Sequence, residues 1–128
     1  MAGKIIITIA WAGVIFIISS IPSLKSPFDI WDIYLRKAAH ITEYFILMVL
    51  VVMNFKKNNE KARIISFLIA GLYAVGDEFH QKFVPGRVMA LSDMVWDWIG
   101  CSIGYIYMGY IYDKNSIFNI KKYFNKND

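Results

Sequence analysis

The sequence predicts an all-α, polytopic membrane protein: a bundle of four transmembrane helices with both termini in the cytoplasm. Three observations carry that expectation. The apolar residues fall into blocks of about 17–21 residues, and at about 1.5 Å per residue each reaches about 25–31 Å, close to the thickness of a bilayer's hydrocarbon core. The 128 residues are 57% hydrophobic and 19% charged, against about 45–50% and about 25% in an average soluble domain. A chain this short has too little interior to hide that surplus. Finally, the lysines and arginines sort by loop, as they do when a bilayer orients a chain. The composition excludes a disordered chain, which needs the opposite bias. The single cysteine excludes a disulfide framework and a thiolate zinc site. A net charge of +4 is compatible with nucleic acid, but its placement along the chain fits a membrane.

The whole chain, residues 1–128, reads as one domain. The first span covers residues 5–21, broken only by Thr8, Ser19, Ser20 and two small residues. A basic start before an apolar run also fits a signal peptide; against that, Trp11 lies within the run and Ile21-Pro22-Ser23 is a poor cleavage site. Residues 22–35 then carry two prolines with Phe28, Trp31 and Tyr34, a pattern suited to a segment lying in the outer headgroup layer. The second span covers residues 37–55. It joins the third, residues 64–83, through the short basic connection Lys56-Lys57-Asn58-Asn59-Glu60-Lys61. Val84-Pro85-Gly86-Arg87 reads as a tight turn, because Pro85 fixes one dihedral and Gly86 permits a positive one, aiming Arg87 back over the bundle. The fourth span covers residues 92–112, and residues 113–128 form a tail mixing Ile117, Phe118, Tyr123 and Phe124 with lysines. Lys4, Lys56, Lys57, Lys61, Arg63, Lys114, Lys121, Lys122 and Lys126 share one side; Lys25, Arg36, Lys37, Lys82 and Arg87 share the other. The richer side is expected in the cytoplasm.

Five of the ten acids, Glu43, Asp77, Glu78, Asp93 and Asp97, lie within the spans. Each such charge costs about 2.5–3.5 kcal/mol on insertion scales, so acids in these positions turn inward and mark functional sites. Counted at 1.5 Å per residue, Glu43, Asp77 and Asp97 all fall about 8–10 Å beneath the outer boundary. On the second span, Arg36, His40 and Glu43 make one helical stripe. On the third, Asp77, Glu78, His80 and Gln81 fill one turn. On the fourth, Asp93 and Asp97 continue through Gly100 and Gly104, whose spacing permits close helix contact. The expected result is an interior polar pocket open to the outside, with Arg36, Lys37, Lys82 and Arg87 at its rim nearly balancing the acids.

Arg36-Lys37-x-x-His40-x-x-Glu43-Tyr44, then Asp77-Glu78-x-x-Gln81-x-Phe83-x-Pro85-Gly86-Arg87, then Asp93 with Gly100 and Gly104 resembles the VanZ-like membrane proteins. The resemblance spans about residues 36–104. It implies a small multi-helix membrane protein of the cell envelope, since the family's prototype is associated with low-level resistance to the glycopeptide antibiotic teicoplanin. It does not bring a defined biochemical activity with it. One position departs from the pattern: the family usually has Asn four residues after the aspartate of the fourth span, and this chain has Asp97.

Three chemistries compete for these residues. In the enzymatic one, a hydrolase or transferase, His40 and Glu43 form a general acid/base pair with Asp77 and Glu78 as a second acidic group. Arg87 and Lys37 then hold an anion such as phosphate or carboxylate, and Arg36, Tyr44, Gln81, Asp93 and Asp97 complete the substrate-binding site. The target is a lipid-linked or acylated molecule of the outer leaflet, such as a cell-wall precursor. In the second, the same pocket is a binding module for a lipid headgroup or a lipoglycopeptide and reacts with nothing. In the third, the charges only pair and set helix register, a role exceeded by four polar groups in one turn. Membrane lipids are the expected partners and nucleic acid is not. No cofactor and no metal is assigned: the histidines and carboxylates are chemically able to hold a divalent ion, but His40-x-x-Glu43 alone is only a helical pair. Ser19, Ser20 and Ser92 lack a nucleophile elbow, His80 reads as a bystander and Cys101 as apolar filler.

Overall fold

The computed structural model describes residues 2–22, 29–87 and 91–124, with backbone alone for 29–32 and 115–124. All regular structure among them is helical: α1 (Ala2–Ser19), α2 (Asp29–Met53), α3 (Glu60–Gln81) and α4 (Leu91–Phe124). Phe28 and the side chains of Trp31, Ile117, Phe118, Tyr123 and Phe124, on which the headgroup-layer and tail expectations rest, lie outside the described residues.

Most helix ends lie within four residues of the expected spans, and two differ by more. The second helix starts at Asp29, not at residue 37. Arg36 and Lys37 are good helix formers and do not stop it. The fourth helix does not end at residue 112 but runs on to Phe124. Nothing between Tyr112 and Phe124 breaks a helix: no proline or glycine occurs there. At 34 residues, α4 is about 50 Å long.

Helix α2 is the hub, packed most extensively on α4 and also on α3 and α1; among the described residues α1 packs on α2 and α3 alone. The apolar core gathers Ile15, Tyr44, Leu47, Val51, Ala70, Ala74 and Cys101, with a second cluster of Met48, Val52 and Met108. Polar ties fix the layers. Tyr73 donates to the Ala12 carbonyl at 2.7 Å, and Trp11 Nε1 donates to the Glu43 carbonyl at 3.0 Å. Asn54 Nδ2 donates to Thr8 Oγ1 at 2.7 Å, and Asn58 Nδ2 to the Met108 carbonyl at 2.8 Å. Asn59 caps α3 by accepting from the Ala62 amide, with Glu60 in the first turn.

Polar side chains are buried alongside the apolar core while large apolar ones stand outside. Among the described residues the buried polar ones are Ser19, His40, Ser66, Asp77, Glu78, Gln81 and Asp97. Outside, Leu72 is 72%, Ile106 70%, Phe83 68% and Leu68 58% exposed. Helix α1 alone is long and apolar enough to cross a membrane by length and composition, and only 11% of it is buried within the protein. Among the described residues α2, α3 and α4 do not pass that measure. Each carries several charged residues, and the acids that lie deep in these helices are the ones turned inward.

Candidate functional site: a buried carboxylate–histidine centre

The site begins with a close approach. α4 meets α2 at Gly100, where a methyl group would land on the Ile41 carbonyl oxygen and within 3.1 Å of its carbonyl carbon and Cα. One turn on, Gly104 lies against Met48, whose Cγ and Cβ would be 2.8 and 2.9 Å from an added carbon. Only glycine permits this spacing. Asp97, one turn before Gly100, is thereby carried to the level of His40 on α2.

His40 Nδ1 and Asp97 Oδ1 are 2.7 Å apart and both residues are buried. With Asp97 ionised, Nδ1–H donates and Nε2 is left as the lone-pair nitrogen. Next to this pair is a cavity of about 50 Å³. Its lining is Ile18 and Ser19 of α1, Arg36, Ala39, His40 and Glu43 of α2, Asp77 and Gln81 of α3, and Arg87. Such a volume holds a few water molecules or the oxygens of one small group. Asp77 Oδ1 and Asp97 Oδ2 are buried with no hydrogen-bond partner among the described residues. The centre therefore has unused acceptor capacity in a place where leaving it unused is costly.

Gln81 bridges the acids to the rim. Its Nε2 donates to Asp77 Oδ2 at 3.2 Å, and its Oε1 accepts from Arg87 Nη1 at 3.1 Å. The Val84–Arg87 turn closes with Arg87 N donating to the Val84 carbonyl at 3.1 Å, and Gly86 sits at φ 75°. That is the left-handed conformation a type II turn requires at its third residue. The turn brings Arg87 to the cavity, where its other donors reach the Ile21 and Ile18 carbonyls at 2.9 and 3.1 Å. Arg87 thus ties down the chain just after α1, pairing the Ile21 carbonyl and adding a second donor to the Ile18 carbonyl, which already accepts from the Ile21 amide.

The remaining expected site residues are placed as follows. Glu78 is fully buried, and one ligand atom each of His40, Glu78 and Asp93 lie within 4.8 Å of one another. Arg36 is exposed at the cavity rim. Lys37 lies with its ammonium 5.2 Å from the centre of the Trp96 ring. Tyr44 is buried in the apolar core, its ring 6.3 Å from that of Tyr73. The five acids of the helices therefore gather around His40 from three helices. What the sequence reading does not contain is the part played by α1. Ile18 and Ser19 line the cavity, Ser20 Oγ lies 2.9 Å from His80 Nε2, and Phe16 stacks on the His80 ring at 4.3 Å. The adjacent serines at the end of an otherwise apolar run were the available signal.

The described residues thus form four helices with large apolar side chains outside and a buried carboxylate–histidine pair inside. The model of the VanZ/LLP1 family matches residues 4–112, and the chain belongs to that family. An uncharacterized protein of Schizosaccharomyces pombe is 27% identical over 86 residues, which is 66% of this chain and 52% of that protein. The chain thus spans about half the length of the curated relative it matches. No solved structure matches it.

Proposed function

We propose that this chain is a four-span membrane protein with both termini cytoplasmic, which engages an anionic, acylated or lipid-linked molecule of the outer leaflet and acts on it by acid/base chemistry. The observation that carries the reading is the buried His40–Asp97 pair beside a cavity that Glu43 and Asp77 also line, inside a protein whose surface is apolar. Large apolar side chains around the outside favour lipid over water. Charged residues deep in the helices are tolerable because they face one another. Glu43 borders the cavity and is the residue positioned to carry a proton. Arg36, exposed at the rim, is the cation available to an anion, since Arg87 is committed to Ile18, Ile21 and Gln81. The cavity admits only the reacting group, so the apolar part of the ligand stays in lipid.

A second reading, non-catalytic binding of a lipid or lipoglycopeptide, is favoured by the Asp77–Gln81–Arg87 bridge, which ties the centre together on one side. One experiment separates the two. Cells carrying the wild-type chain or Glu43→Gln are compared for teicoplanin susceptibility, and purified protein is incubated with envelope lipid extract and examined by mass spectrometry. The catalytic reading predicts a converted lipid with the wild-type chain and none with Glu43→Gln at equal protein level. Recovery of an unchanged ligand supports binding alone. An unaltered phenotype together with unaltered lipids in Glu43→Gln overturns the acid/base role.

A further inference from the structure

We propose that His40, Glu78 and Asp93 form a binding site for one divalent transition-metal ion, zinc or manganese, with Asp97 as the outer partner of the histidine. The three residues come from three helices, α2, α3 and α4, and one ligand atom of each lies within 4.8 Å of the other two. Zinc bound at about 2.0–2.2 Å in tetrahedral geometry spaces its ligands about 3.3–3.6 Å apart. The three side chains therefore close on an ion by about 1 Å, within the reach of carboxylate rotamers. His40 and Glu78 are 5% and 0% exposed, while Asp93 is only partly buried. Two ligands are thus enclosed in the protein and the third is partly accessible.

A second observation is independent of the cluster. Asp97 holds His40 Nδ1 at 2.7 Å, the arrangement that orients a metal-binding imidazole: Nδ1–H donates to the carboxylate and Nε2 keeps its lone pair. Asp97 is fully buried, and its Oδ2 has no hydrogen-bond partner among the described residues, so orienting His40 is the contact it makes. One imidazole nitrogen with two carboxylates suits zinc or manganese better than calcium or magnesium, which prefer oxygen alone, and better than copper(I), which prefers sulfur.

The site does not depend on the catalytic reading: metal binding without turnover leaves it standing. With an ion on Nε2, His40 becomes a ligand and Glu43 alone is left to carry a proton.

The test uses the full chain without an affinity tag, in detergent micelles, stripped with chelator and titrated separately with Zn²⁺ and Mn²⁺. One ion per chain is expected. Glu78→Gln and Asp93→Asn should each weaken Zn²⁺ binding at least about tenfold, and Asp97→Ala by about 10–100-fold. Circular dichroism and size-exclusion profiles establish which variants are folded. Should the variants fail to fold, the wild-type chain loaded with Mn²⁺ is examined by pulsed electron paramagnetic resonance, where coupling to one imidazole nitrogen is expected. A stoichiometry far below one, affinity unchanged in both folded carboxylate variants, or the absence of nitrogen coupling overturns the site.

Discussion

Replacing Gly100 with alanine tests whether the polar centre depends on the closeness of α2 and α4. The added methyl meets backbone, not a flexible side chain: the Ile41 carbonyl oxygen first, then its carbonyl carbon and Cα at 3.1 Å. Comfortable carbon–carbon separations start at about 3.5 Å, so the helices must part by at least about 0.4 Å. Overpacking of this kind costs about 1–3 kcal/mol. Alanine's better helix propensity returns up to about 1 kcal/mol, leaving a net loss. The His40–Asp97 contact at 2.7 Å lies one turn away and lengthens with the gap. Cys101, fully buried beside Gly100 and the single cysteine of the chain, supplies the assay. Maleimide labelling in micelles should be slow in the wild-type chain and markedly faster in Gly100→Ala, with a lower thermal midpoint. Gly71→Ala and Gly76→Ala are controls, since an added carbon meets only the Trp98 ring, no nearer than 3.7 Å, at the first and nothing within 4 Å at the second. A Gly100→Ala chain that labels and melts like wild type refutes the close-packing argument.

Two further outcomes follow from α1. Arg87→Ala removes hydrogen bonds to Ile18, Ile21 and Gln81; because two of them are solvent-exposed, a loss of about 1–2 kcal/mol is expected, read as a lower thermal midpoint in micelles, with Lys82→Ala unchanged. Trp11→Phe keeps the ring's bulk but loses the donor to the Glu43 carbonyl, which should cost about 1 kcal/mol in the same measurement.

Much of this arrangement is legible in the residue spacing. The stripe Arg36–His40–Glu43 and the line Asp93–Asp97–Gly100–Gly104 each need only a helical period to place them on one face, and the two faces meet in the structure at Ile41 and at His40. The tight turn at Pro85-Gly86 is legible for the same local reason. Helix ends are less so: Arg36 and Lys37 interrupt an apolar run without interrupting the helix, and the polar residues after Tyr112 end hydropathy but not helicity. Contacts between distant segments leave no periodic trace. Nothing in the spacing of Trp11, Tyr73 or Arg87 reveals that they bond to backbone carbonyls of a distant segment. The grouping of His40 with Glu78 and Asp93 is of the same kind, because its members are separated along the chain and meet only through packing.

The central claim, that the helices cross a bilayer with the polar centre beneath its outer face, is tested most directly by labelling introduced cysteines in intact cells. In a Cys101→Ala background, Pro85→Cys lies in the connection between α3 and α4, and Lys57→Cys in that between α2 and α3. A membrane-impermeant maleimide should label Pro85→Cys in intact cells and Lys57→Cys only after permeabilisation. Labelling of both positions from the outside, or the reverse pattern, contradicts it.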